Sequence, residues 1–283
     1  MGAEGAVIRA QLARFEKLHP EVPLELRVTP DAADQRHQLY VQWLNAHAPD
    51  PDVLQLDIIW TAEFAAAGWI HPIDLPAADR TDFFPAALDA NRWQNDWYAV
   101  PWFVDVGLLY WRTDLMAAPP ATLPDLRDSA LRADRSGATR TGLVWQGARY
   151  EGLVTVFLEH LTAFGGRILD AGGEDTVDEE AAVGAETFMR DAIHADGFVP
   201  ASALTWQEEQ TRFAFQNGQA AYMRNWPYAW VLLQNANRWA VAGRVGVTRF
   251  PPAEGGRPAR RPRRTAVAKS SRRLSRFSVG STS

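Results

Sequence analysis

VLQLDIIW, residues 53–60, is the stretch whose reading decides the fold. Six of its eight residues are apolar, and a turn-forming Pro49-Asp50-Pro51-Asp52 precedes it. That composition suits a strand buried on both faces of a parallel sheet, with Thr61 capping a helix behind it. One carboxylate, Asp57, interrupts the run. An ionised carboxylate is costly to bury without partners, so Asp57 either borders a cleft or is held by hydrogen bonds. Open α/β sheets bind ligands just outside the carboxyl ends of their strands. The run therefore reads as the floor of a ligand cleft.

Upstream, Ile8, Leu12 and Phe15 share one helical face over 5–19, ending before Pro20. Leu24, Leu26 and Val28 alternate with Glu25 and Arg27 at strand spacing. A second helix over 31–47 aligns Leu39, Tyr40, Trp43 and Leu44, with Arg36 one turn earlier. A third, 61–67, closes at Gly68. Alternating helices and strands predict right-handed crossovers and a parallel sheet, and the expected strand before the first helix is missing.

Downstream, WYAVPWFVDVGLLYW (97–111) is a second apolar run that holds one acid, Asp105. The proline-rich segment 117–142 is expected to cross into a second lobe and to contain a polar helix. Helices are predicted at 150–164, behind a capping box of Thr176 and Glu179, and near 206–216, with a strand at 219–224. GGRILDAGG (165–173) fits a hairpin turn better than a phosphate loop, because it lacks GxGxxG spacing. NWPYAW (225–230) sets three aromatics around a proline-held turn.

The 283 residues contain no cysteine, which excludes disulfides and thiol chemistry, and no apolar stretch long enough to span a membrane. The six histidines show no metal-ligand spacing, so no metal or cofactor is expected. Net charge is −5, yet residues 257–283 hold eight Arg, one Lys and no acid, leaving 20 basic and 34 acidic side chains, or −14, in the rest. Such a tail could bind polyanions weakly, but its Arg/Ser/Pro bias without periodicity is read as disorder, and no nucleic-acid partner is assigned.

RAQLARFEKLHPE (9–21), DPDVLQLDIIWTAEFAAAGWIHPIDL (50–75), YAVPWFVDVGLLYWRTDLM (98–116), VWQGARYEGLV (144–154) and GQAAYMRNWPYAW (218–230) together resemble the substrate-binding proteins of carbohydrate ABC importers, in the trehalose/maltose-binding branch of extracellular solute-binding protein family 1. The resemblance implies a two-lobed α/β fold of the type II periplasmic-binding-protein kind. The first lobe is expected over 1–113, the second over 114–240, a return segment over 241–256 and the basic tail over 257–283. It also implies an extracytoplasmic, monomeric, non-enzymatic protein. Such a protein would deliver an α-linked gluco-oligosaccharide to ABC permease subunits, touching the membrane only through the permease or a lipid anchor. Both ends depart from the family pattern. Its signal and first strand are absent here, and its last hundred or more residues are replaced by the basic tail. A frameshift or gene fragment is the expectation.

By the same resemblance Glu4, Arg36, Asp57 and Asp105 contact sugar hydroxyls, and Trp226 and Tyr228 form an aromatic platform. Trp102, Tyr150 and Asn225 complete the candidate set. These residue types suit the chemistry: a sugar needs charge-assisted acceptors, an arginine fork and flat rings against its C–H faces. Each also has a plain structural reading: Asp57 can be satisfied by a helix N-terminus, Arg36 can be a solvated charge, and Trp226 and Tyr228 can be core aromatics. Trp102 can pack a hinge, and Tyr150 can cap a helix. The rival function is a glycoside-processing enzyme using Asp57 and Asp105, since two carboxylates flanking the bond are what glycoside hydrolysis requires.

Overall fold

The structure, a computed structural model, describes residues 5–30, 32–169, 174, 175, 177, 179–235 and 239–253, and the backbone of 265–271. These form two units, 5–105 with 265–271 and 106–253. The division follows Asp105, ahead of the 113/114 boundary expected from sequence, because the next strand pairs within the second unit.

The first unit opens with α1 (Gly5–Leu18), α2 (Ala33–Asn45), β1 (Val53–Asp57) and α3 (Ile58–Ala66). Two short helices follow, α4 (Ala77–Arg80) and α5 (Pro85–Asp89), then a ribbon of β2 (Arg92–Trp93) and β3 (Asp96–Trp97), and β4 (Val100–Asp105). Here the strand is shorter than its apolar run suggests. It stops at Asp57, which caps α3, so the cap is Asp57 rather than Thr61, and Thr61 lies buried inside the helix. Tyr40, Leu44, Leu54, Leu56, Trp60 and Phe64 form this unit's core between α2, β1 and α3. The alternation at Leu24, Leu26 and Val28 yields no strand; among the described residues nothing pairs with it, and Leu26 and Val28 are exposed.

The second unit contains β5 (Leu108–Arg112), α6 (Leu123–Arg135), β6 (Thr141–Val144), α7 (Glu151–Ala163), α8 (Glu180–His194), α9 (Glu208–Gln216), β7 (Ala220–Asn225), α10 (Tyr228–Leu233) and β8 (Val245–Thr248). Its sheet runs β6-β7-β5-β8, with β6 and β7 parallel and the other pairs antiparallel, so the sheet is mixed. Successive strand residues face opposite sides. Leu109 thus joins Leu123, Leu126, Trp145, Phe198 and Tyr222 beneath α6, α7 and α8, while Tyr110 joins Phe215, Met223 and Leu233 beneath α9 and α10. Burying each such side chain contributes about 1.5–3 kcal/mol. Of the expected Thr176–Glu179 capping box, Thr176 lies outside the described residues, and Glu179 precedes α8 without a side-chain cap bond.

Two segments behave otherwise than expected. Residues 245–248, read as part of a return toward the first lobe, pair with β5 as an edge of the second unit's sheet. Within the basic tail, β9 (Thr265–Ser271) runs antiparallel to both β1 and β4 and completes the first unit's sheet in the order β1-β9-β4. The remaining tail residues lie outside the described set.

Candidate functional site

In the second unit, the turn Asn225-Trp226-Pro227-Tyr228 links the end of β7 to the start of α10. Asn225 is fully buried; its Oδ1 accepts from the Trp226 amide at 2.8 Å, and its Nδ2 donates to the Glu208 carbonyl at 3.2 Å. The Trp226 carbonyl accepts from the Tyr110 hydroxyl at 2.7 Å. The turn is thereby bonded to α9 and to β5.

The Trp226 ring is gripped on an edge and a face. Its Nε1–H donates to Glu208 Oε1 at 3.2 Å, and the Arg224 guanidinium lies 3.8 Å from the ring centroid. Arg224 is fully buried, and a deep polar cluster holds its edges. Nε donates to Glu159 at 2.9 and 3.2 Å, Nη2 donates to the same carboxylate, and Nη1 donates to Gln146 Oε1 at 2.9 Å. Gln146 in turn donates to the Arg224 carbonyl at 3.1 Å.

Beside it, the Tyr228 hydroxyl donates to Glu209 Oε1 at 2.8 Å, and Arg212 donates to both oxygens of that carboxylate. Tyr150 precedes α7 in an extended conformation without capping it, and its ring folds back over Gly152, where a Cβ would meet the hydroxyl at 2.1 Å. Burial, then the neighbouring Glu208 carboxylate, push the Tyr150 hydroxyl's pKa above its ordinary value. For Tyr228, burial and the bond to Glu209 do the same. Both phenols therefore stay neutral donors across the physiological range. The result is a Trp and a Tyr ring beside two carboxylates from the first turn of α9 and a second phenol.

The first unit holds the remaining candidates. Arg36 lies in the first turns of α2, donates from Nη1 to the Pro30 carbonyl at 3.3 Å, and stands 5.4 Å from the Trp60 ring centroid. Asp57 is buried and accepts from the Ile59 amide at 3.3 Å as the cap of α3. His37 approaches the same aromatic cluster and bonds Glu63 at 2.8 Å. Trp102 and Asp105 are half-buried on β4; Trp102 meets Phe103 edge-on, and Asp105 pairs in register with Thr265. Glu4 lies outside the described residues.

A sequence model of the bacterial extracellular solute-binding protein family matches residues 2–273. The chain belongs to that family. A probable ABC transporter-binding protein of Deinococcus radiodurans is 37% identical over 250 residues, covering 83% of this chain and 58% of that protein. A maltotriose-binding protein of Pyrococcus abyssi is 23% identical over 226 residues, covering 79% and 47%. The chain thus spans less than two thirds of the length of these two relatives. Among solved structures, maltose-bound MalE3 of Thermotoga maritima superposes with a TM-score of 0.86 at 39% identity, over 96% of this chain and 70% of that one. The GacH receptor of Streptomyces glaucescens, solved unliganded and with acarbose, gives 0.82 at 26% identity, over 96% and 69%. The α/β fold is therefore that of the extracellular solute-binding proteins, and the family and these structures are of binding proteins rather than enzymes.

Sequence reasoning had not singled out Arg224, Glu159, Gln146, Glu208 or Glu209. Glu208 and Glu209 do carry a visible signal, a pair of acids opening a helix, but that pattern reads as ordinary complementation of the helix dipole.

Proposed function

We propose that this chain is the extracytoplasmic sugar-binding component of an ABC importer, taking an α-linked gluco-oligosaccharide of the maltose or trehalose type. The observation that carries the reading is the anchored Trp226 ring together with the Tyr228 and Tyr150 phenols, all three set against the two carboxylates of α9. A pyranose offers an apolar C–H face to such a ring and hydroxyls to such acceptors, and charge-assisted bonds to carboxylates are the strong ones. The similar structures bound to maltose and acarbose, and the maltotriose-binding relative, support this ligand class.

In this reading Trp226 and Tyr228 contact the sugar rings, Tyr150 donates to a hydroxyl, and Asn225 acts by holding the turn. In the first unit Arg36, Asp57, Asp105 and Trp102, with Glu4 ahead of α1, supply the remaining polar and aromatic contacts. The protein hands its sugar to permease subunits and makes or breaks no covalent bond.

Isothermal titration of the full chain with maltose, trehalose, sucrose and mannitol tests this. Saturable one-site binding of an α-glucoside, weakened but still measurable in Trp226→Ala, is expected. A chain that melts cooperatively and shows no heat with any α-glucoside at millimolar concentration would refute the sugar reading.

A further inference from the structure

The Arg224–Glu159–Gln146 cluster lies beneath the candidate platform, and the sugar reading assigns it no contact. Arg224 and Gln146 are fully buried and Glu159 is 9% exposed, so this is a desolvated ion pair with an amide closing its rim. Three elements supply it: Glu159 from α7, Arg224 from β7, and Gln146 just beyond β6. The guanidinium edges are spent on Glu159 and Gln146, which leaves its faces for stacking, and one of them meets the Trp226 ring. A flat cation fixed along its edges is a rigid shelf, and arginine is suited to it because its fork is planar and pre-organised.

The same cluster bears on the chain where it enters the second unit. Gly107, two residues past the division at Asp105, packs so closely that a Cβ there would sit 1.7 Å from Glu159 Oε1 and 2.6 Å from Arg224 Nη2. The pair thus touches the crossing segment on one side and the tryptophan on the other.

We infer that Arg224 is a positioning residue for sugar binding: paired with Glu159, it covers one face of Trp226 and fixes the ring so that the opposite face is the one a sugar can use. This deepens the proposed function and rests on it. Replacing a buried ion pair by apolar or neutral groups of similar volume commonly preserves folding, whereas removing one partner strands a charge. The informative variant is therefore the double change Arg224→Met with Glu159→Gln.

Maltose titration of four full-length chains decides the matter: wild type, Trp226→Ala, the double variant, and the double variant carrying Trp226→Ala. The inference expects the double variant to melt cooperatively, to bind maltose at least tenfold more weakly, and to lose nothing further from its own change once Trp226 is already Ala. That vanishing of the effect is what positioning through Trp226 requires, and a general loosening of the core would not produce it. Should the double variant fail to melt cooperatively, Arg224→Lys replaces it in the same cycle, since it keeps the charge and removes the planar fork. Wild-type affinity in the double variant, or an equal weakening with and without Trp226, overturns the inference while leaving the sugar reading intact. Unaltered maltose binding by Trp226→Ala removes the platform reading itself, and the inference with it.

Discussion

Gly107→Ala adds one methyl group at a crowded point of the second unit. Gly107 is buried between β4 and β5, and the added Cβ would lie 1.7 Å from Glu159 Oε1, 2.5 Å from Glu159 Cδ and 2.6 Å from Arg224 Nη2. No carbon approaches an oxygen that closely, so something must move. Neither neighbour is the free end of a solvated side chain, because Arg224 is fully buried and Glu159 is 9% exposed, each held by bonds to the other. If the crossing segment yields, the cost is that of overpacking a core, about 1–3 kcal/mol. If the pair separates instead, the cost is that of a broken buried ion pair, about 3–5 kcal/mol. Urea unfolding followed by tryptophan fluorescence measures the loss, and Gly68→Ala is the control. Gly68 has φ +68° and nothing within 4 Å of its Cβ position, so its cost of roughly 1 kcal/mol is conformational alone. Glu159→Ala supplies the second arm. It is destabilising by itself, but once Glu159 is removed only the approach to Arg224 Nη2 remains, on a guanidinium released from its partner, and Gly107→Ala should add clearly less to it than to wild type. A Gly107→Ala chain within about 0.5 kcal/mol of wild type, the ordinary range for a harmless change, would refute the packing argument.

Three further outcomes follow from other parts of the molecule. His160 is fully buried among Trp145, Phe188 and Phe250 and donates from Nδ1 to the Val156 carbonyl; burial pulls its pKa down to about 4. The unfolded chain therefore binds this proton first, so stability is complete above about pH 6.5 and falls by on the order of 3 kcal/mol as pH drops toward 4, a loss that His160→Leu should flatten in acid melts. Asp57→Ala removes the cap of α3 and should cost about 0.5–2 kcal/mol, while Asp57→Asn, an equally good cap, should melt like wild type yet bind maltose more weakly if the carboxylate charge serves the sugar. Ser129→Ala strips the Tyr222 hydroxyl of its 2.8 Å partner and should cost about 1–3 kcal/mol by thermal melt, and adding Tyr222→Phe should recover most of it.

What could be read in the sequence was whatever depends on near neighbours. The stripe Leu39, Tyr40, Trp43, Leu44 marks α2, because periodicity is a local property, and the strand expected over 219–224 is β7, found at Ala220–Asn225. The hand-over at Asp57 was hidden for the opposite reason: VLQLDIIW is apolar on both sides of the acid, so no change of period announces that the strand has become a helix. Leu24 to Val28 shows strand alternation without a strand because a strand is made by its partner, and among the described residues none pairs there. TAVAKSS at 265–271 makes the complementary point. Ladder hydrogen bonds are formed by backbone groups and are nearly blind to side chains, so a proline-free segment of seven residues can fill the gap between β1 and β4 whatever its composition suggests. The candidate site divides along the same line. Trp226 and Tyr228 stood out as an aromatic turn, but the groups that hold them come from far along the chain. Arg224 reaches 65 residues back to Glu159 and 78 back to Gln146, and Trp226 reaches 18 back to Glu208. In a strand as apolar as AAYMRN a lone arginine signals only that some distant carboxylate must exist, since an unpaired buried cation would be too costly to keep. That inference, from an isolated charge in a buried strand to an unseen partner, applies to Arg224 as it did to Asp57, and following it from both would have led to the cluster beneath Trp226 as well as to the cap of α3.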